Sequence, residues 1–113
     1  MHEVGIARDI LNVVNQQVPA DVAHAVKSIR VKVGALARVT PEALRFGFQI
    51  ASVSTPFQSA QLLVDQVPLQ MECEVCLLIT VGSEALPICA ACGSTRLKIL
   101  SGNEMEVVEV QYE

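Results

Sequence analysis

Aromatic residues are scarce in this chain. Tryptophan is absent, and Phe46, Phe48, Phe57 and Tyr112 are the only six-membered carbon rings in 113 residues. None lies in residues 70–103, which leaves that stretch no platform on which successive bases of a single strand could stack. Positive charge is thin as well: 8 Lys and Arg face 12 Asp and Glu, for a formal net charge of −4. Five of the basic residues (Lys27, Arg30, Lys32, Arg38 and Arg45) fall between positions 27 and 45, but they form no dense stripe, so a general nucleic-acid binder is excluded. No apolar run approaches the ~20 residues that span a bilayer, and no membrane association is expected. His2, Glu3, Arg8 and Asp9 interrupt the first nine residues, leaving no apolar stretch for a secretory signal. The expected compartment is the cytoplasm.

What the chain does hold is aliphatic. It is 51% hydrophobic and only 18% charged, enough to build a core and against disorder. Four cysteines form two matched pairs, Cys73-Glu74-Val75-Cys76 and Cys89-Ala90-Ala91-Cys92, with 12 residues between them. Two intervening residues let both sulfurs of a pair turn toward one centre. Two such pairs supply the four thiolates of a closed tetrahedral zinc site, although the spacer is shorter than the usual window of about 15–20 residues. In a reducing compartment, paired cysteines are metal ligands more often than disulfides. Four thiolates leave no open coordination position, so this zinc is structural rather than catalytic. Iron in the same cage would make an electron carrier, and a redox CxxC would want a thioredoxin-like context that the pattern does not provide. With the cysteines engaged and no Ser-His-Asp arrangement, enzymatic activity is not expected.

Local patterns predict the elements. Val4, Ala7, Leu11, Val14 and Val18 recur at helical spacing over residues 4–17, and Pro19 stops the helix. Ile29, Val31 and Val33 alternate with Arg30, Lys32 and Gly34, a strand over 28–36, after which Gly34 allows a turn or a close backbone approach. Thr40-Pro41-Glu42 opens a second helix reaching to about residue 53, with Leu44, Phe48 and Ala51 on one face and Phe46 and Ile50 nearby. Residues 60–67 and 104–112 read as strands. The last has apolar residues on both parities, which a bulge or burial on both faces would explain. Ser101-Gly102-Asn103 reads as a turn or hinge. The expected fold is therefore α+β: two helices packed on a three-stranded sheet, with an inserted zinc-ribbon-like module. Residues 1–69 and 104–113 would form the main domain, and 70–103 the zinc-binding module.

The chain opens Met1-His2-Glu3. A free α-amine, the His2 amide nitrogen and the His2 imidazole can wrap one metal in fused chelate rings, and such tetragonal nitrogen donation suits nickel(II) or copper(II). Glu3 could add its own amide nitrogen. On chemistry alone this is weak, because termini fray and a terminal histidine is usually just solvated. His24, the only other histidine, reads as a surface residue.

Taken together, these features resemble the HypA/HybF family, nickel-delivery chaperones of hydrogenase maturation. The resemblance rests on Met1-His2-Glu3, on Val33-Gly34-Ala35-Leu36 followed by Val39-Thr40-Pro41-Glu42-Ala43-Leu44-Arg45-Phe46, on the two CxxC pairs with Cys92-Gly93, and on Gly102-Asn103-Glu104-Met105. It implies Ni(2+) as transported cargo, bound through the Met1 amine, the His2 amide and imidazole, and the Glu3 amide. It implies Zn(2+) as a structural ion on Cys73, Cys76, Cys89 and Cys92. Its implied partners are a HypB-type GTPase and the large subunit of a [NiFe]-hydrogenase, with urease served by some members, in a monomer or homodimer. The chain departs from the family pattern at Gly5, where serine is frequent, at Ala90, where proline is frequent, and at Gln49, where an acidic residue is frequent. The rival reading is a zinc-ribbon protein-interaction module with no nickel role.

Overall fold

The computed structural model of the chain describes residues 2–82 and 87–113. They form two helices, α1 (His2–Gln17) and α2 (Pro41–Ala51), and six strands: β1 (Val26–Gly34), β2 (Gln61–Val67), β3 (Leu69–Cys73), β4 (Ile79–Gly82), β5 (Leu97–Ser101) and β6 (Met105–Tyr112). Short 3-10 turns follow α1 and β1, at Ala20–Ala25 and Ala35–Ala37. The strands make two three-stranded sheets, ordered β2-β1-β6 and β4-β3-β5. The chain divides into two compact units. One comprises Met1–Lys32, Val39–Asp65 and Glu106–Glu113; the other comprises Val33–Arg38 and Gln66–Met105.

The first unit is the α+β layer expected from the hydrophobic pattern. On α1 the stripe of Val4, Ala7, Ile10, Leu11 and Val14 is buried. Helix α1 packs against α2, and Leu44 and Phe48 of α2, Ile29 and Val31 of β1 and Leu62 of β2 are buried as well. Helix α2 starts where the sequence places it. Thr40 has extended backbone, and its Oγ1 accepts from the Ala43 N–H at 3.1 Å, while Pro41 occupies the first turn. Phe46 is 57% exposed and Ile50 43% exposed, so neither joins the core: they lie on the outer side of α2, away from Leu44 and Phe48. Strand β6 is not buried on both faces. Only Val107 and Val110 are half-buried, because β6 is an edge strand of its sheet. The wet side of this sheet carries Arg30, which donates to Asp65 at 2.9 Å and lies 3.7 Å from Glu109.

The second unit is built on β3, a strand absent from the expected set. Leu69, Met71 and Cys73 alternate along it as its buried residues. Strands β4 and β5 pair with it on either side, both antiparallel. At one end of the unit the Gly34 N–H donates to the Glu104 carbonyl at 2.8 Å, and the Leu36 N–H donates to the Gly102 carbonyl at 2.9 Å. The Gly102 N–H donates to the Glu104 side chain at 2.7 Å, and Ser101 Oγ donates to the Pro68 carbonyl at 2.9 Å. A segment with its backbone groups tied this way is a pinned crossing, not a hinge.

Candidate metal centre

Two knuckles of the same construction present the four cysteines. In the first, the Leu77 N–H donates to the Cys73 carbonyl at 2.9 Å, and the Cys73 N–H donates to the Leu78 carbonyl at 2.9 Å. In the second, the Gly93 N–H donates to the Cys89 carbonyl at 2.9 Å, and the Cys89 N–H donates to the Ser94 carbonyl at 2.8 Å. Each knuckle closes through a left-handed residue just past its second cysteine: Gly93 with φ of 75°, and Leu77 with φ of 65°. A glycine suits that backbone, whereas nothing in a leucine announces a positive φ. Glu74 ties the two halves together. Its N–H donates to the Arg96 carbonyl at 2.9 Å, and its carboxylate faces the Arg96 guanidinium at 3.5 Å.

This framework gathers Cys73, Cys76, Cys89 and Cys92, whose sulfurs all lie within 4.8 Å of one another. Cys73 Sγ is 3.5 Å from Cys92 Sγ, and Cys76 Sγ is 3.6 Å from Cys89 Sγ. A disulfide needs about 2.05 Å. Four sulfurs around one zinc at about 2.3 Å stand about 3.8 Å apart, so the cluster fits a tetrahedral thiolate site. Cys73 and Cys89 are buried, and Cys76 and Cys92 are exposed.

The thiols are unequal before any metal arrives. The Cys76 N–H points at Cys73 Sγ, 3.5 Å away, and this contact, aided by the Val75 N–H, lowers Cys73 to about 6 against the effect of burial. Cys89 is lowered the same way by the N–H groups of Cys92 and Ala91. At Cys92 the Ser94 N–H favours the thiolate, but the proton it shares with Cys73, together with burial, outweighs that and pushes it up to about 12. Cys76 is raised as well: the Leu78 N–H pulls it down, and the proton shared with Cys89 and desolvation pull it up. In each close pair, the thiol better served by backbone N–H groups is the more acidic one: Cys73 against Cys92, and Cys89 against Cys76. Each knuckle thus offers one thiol poised toward the thiolate, Cys73 in the first and Cys89 in the second, and a cation must displace the protons of Cys76 and Cys92.

The expected nickel residues fall differently. Met1 lies outside the described residues. His2 and Glu3 occupy the first turn of α1, with His2 exposed and Glu3 half-buried. The helix therefore begins two residues earlier than the hydrophobic stripe suggested. N–H groups of a first turn have no intrahelical acceptor, so their nitrogens can bind a metal without breaking a helical bond. His24 is exposed in the turn after α1 and joins no cluster of metal-ligating side chains among the described residues. One residue near the terminus escaped the sequence reading. A Cβ on Gly47 of α2 would stand 2.7 Å from the Glu3 carbonyl oxygen, 2.8 Å from its carbon and 3.0 Å from the Val4 nitrogen. A glycine inside a helix costs stability against alanine, and that was the available signal.

Comparison with known proteins places the chain among close neighbours. A family described as "Hydrogenase/urease nickel incorporation, metallochaperone, hypA" matches residues 1–112. A "Hydrogenase maturation factor HypA" of Streptomyces avermitilis is 37% identical over 116 residues, covering 100% of this chain and 88% of that protein. Its counterpart from Desulfatibacillum aliphaticivorans is 34% identical over 112 residues, covering 98% and 86%. Among solved structures, the solution structure of the Ni metallochaperone HypA from Helicobacter pylori matches with a TM-score of 0.65 at 21% identity, over 99% of this chain and 97% of that one.

Proposed function

The chain belongs to the HypA family of hydrogenase and urease nickel-incorporation metallochaperones, and from that premise we propose that its opening tripeptide carries the nickel and its cysteine cluster carries a zinc ion. In this reading Cys73, Cys76, Cys89 and Cys92 are the zinc ligands. Zinc supplies the cross-link that holds the two knuckles together, and with four protein thiolates it has no vacancy at which to activate water. Met1, His2 and Glu3 bind Ni(2+) as cargo, through the terminal amine, the backbone amides and the His2 imidazole, a nitrogen-rich set that suits the tetragonal preference of nickel(II). By function, residues 1–69 and 104–113 are the nickel-binding domain and 70–103 the zinc-binding module.

The observation that carries the reading is the separation of donor types. His2 and Glu3 belong to the first unit, at the exposed start of α1, and the four thiols are gathered in the second. Cargo at a chain terminus can be taken by a partner; an ion inside four thiolates cannot be released without dismantling the knuckles. The protein is accordingly a carrier and not an enzyme, working in the cytoplasm. It hands nickel to the maturation machinery, with a HypB-type GTPase and the large subunit of a [NiFe]-hydrogenase as its partners. No described helix is long and apolar enough to cross a membrane.

The test is a calorimetric nickel titration of protein with a native, untagged Met1 against His2→Ala, with zinc assayed in both. The expected result is one nickel per chain in the native protein, its loss in the variant, and zinc retained at one per chain in each. Equal nickel uptake by both proteins would move the cargo elsewhere and leave the second unit as a zinc-ribbon interaction module.

A further inference from the structure

We propose that Gly47 is a positioning residue for the nickel terminus: by bringing α2 against the Glu3–Val4 peptide, it fixes the point at which the anchored helix ends and the metal-binding residues begin. The proposal rests on the N-terminal nickel reading above.

The argument starts from two glycines that helical propensity alone would treat alike. Gly5 lies in α1 and Gly47 in α2, and glycine is a poor helix former at either position. Their surroundings are opposite. A Cβ on Gly5 would meet nothing within 4 Å. A Cβ on Gly47 would meet the Glu3 carbonyl oxygen at 2.7 Å, the Glu3 carbonyl carbon at 2.8 Å and the Val4 nitrogen at 3.0 Å. All three are backbone atoms, so no side chain can swing away to make room. Either α2 moves, which its buried Leu44 and Phe48 resist, or the first turn of α1 moves. Val4 and Ala7 are buried on α1, and the peptide that would have to give way is the one next to the Glu3 donor.

The contact divides the terminus functionally. From the Glu3–Val4 peptide onward, α1 is held by α2 and the core. The Glu3 nitrogen lies in the first turn, where an α-helix supplies its amides no intrahelical acceptor. The Glu3 nitrogen is two covalent bonds from the carbonyl carbon that faces Gly47. Displacing that peptide therefore displaces a donor directly. A site whose donors are held in place by neighbouring structure loses less freedom on binding than one at the end of a frayed chain.

Three proteins with a native Met1 test this: wild type, Gly47→Ala and Gly5→Ala, with His2→Ala as the reference for the terminus. Each is titrated with nickel alone, and the nickel absorption spectrum is recorded. Zinc content and thermal melting are measured alongside. Gly47→Ala is expected to weaken nickel binding by at least roughly tenfold, the lower end of what losing a ligand-orienting neighbour costs a metal site. Its nickel spectrum should change while zinc stays at the wild-type level. Gly5→Ala is expected to keep wild-type nickel affinity and spectrum and to melt higher, as an open helical Gly→Ala change should. If Gly47→Ala alone fails to fold, the double variant G5A/G47A, strengthened in α1, is measured in its place. Wild-type nickel affinity and spectrum in the folded Gly47 variant would overturn the proposal. Nickel binding that survives His2→Ala would instead sink the N-terminal reading, and this inference with it.

Discussion

The carbonyl of Gly102 occupies the place where a side chain on Gly34 would begin. A Cβ on Gly34 would overlap the Gly102 carbonyl and stand 2.7 Å from the Asn103 nitrogen, and one on Gly102 would stand 2.7 Å from Leu69 Cα. Three stretches of backbone are stacked there with no side chain between them, and Gly102 adds a φ of 106° that L-residues rarely adopt. Gly102→Ala is therefore expected to destabilise the protein by about 2 kcal/mol or more, through strain and overlap together. Thermal unfolding followed by circular dichroism checks this. An unchanged melting temperature would mean that the crossing is soft.

Leu77 and Gly93 hold equivalent places in the two knuckles, yet only one of them is suited to a left-handed backbone. Leu77 adopts φ of 65° while 68% exposed, so no buried packing compensates for the strain. A left-handed L-residue costs about 1–2 kcal/mol, and glycine returns about 0.5–1 of that as lost chain entropy. Leu77→Gly is expected to keep one zinc per chain and to be neutral or stabilising by up to about 1 kcal/mol. Gly93→Ala is expected to destabilise by about 1 kcal/mol. Chemical denaturation of the zinc-loaded variants distinguishes the two signs.

Zinc uptake should release protons. Near neutral pH, Cys92 (pushed up to about 12) and Cys76 (also raised) keep their protons, whereas Cys73, lowered to about 6, is ionised. Zinc takes thiolates only, so it must displace at least the protons of Cys76 and Cys92, about two per ion. Because binding releases protons, affinity falls as pH falls. The fall should steepen below about pH 6, where Cys73 protonates too. Titrations in buffers of different ionisation enthalpy give the proton count directly. A zinc affinity independent of pH between 8 and 6 would contradict this assignment.

Removing the zinc ligands should act on one unit. Cys73 and Cys89 are buried, and β3 runs directly into Cys73. The outer strands of this small sheet expose Ile79, Val81 and Ile99, so its own apolar burial is modest. Cys73→Ser, or chelation of the zinc, is expected to strip hydrogen-exchange protection from β3, β4 and β5. The buried stripe of α1 and its packing against α2 owe nothing to the cysteines, so α1 and α2 should stay protected. Loss of protection throughout would show that the units fold as one.

The N-cap at Thr40 offers a calibration against which these larger effects can be judged. Its Oγ1 accepts from the Ala43 N–H at 3.1 Å on an exposed turn. Thr40→Ala is expected to cost about 1 kcal/mol and to leave both nickel and zinc stoichiometries unchanged. Differential scanning calorimetry with metal assays checks both halves of that statement.

Much of this protein could be read from local chemistry. Helices α1 and α2 declare themselves through 3.6-residue spacing and through the Thr40-Pro41-Glu42 start, because amphipathic period and capping are properties of neighbouring residues. The paired CxxC motifs do the same for the metal cluster, since two-residue spacing already aims both sulfurs one way. What needed the tertiary structure depends on residues far apart in the chain. Phe46 and Ile50 have the hydrophobicity of core residues, and only the placement of α2 leaves them outside. Strand β3 hides behind Pro68 because its pairing partners come later in the chain. The thiols of Cys73 and Cys92 become unequal only when folding sets them 3.5 Å apart. Gly47 looks like a weak point in a helix until the Glu3 carbonyl is found against it. Periodicity and ligand spacing are written along the chain, whereas close approach, exposure and shared protons exist only between segments that folding brings together.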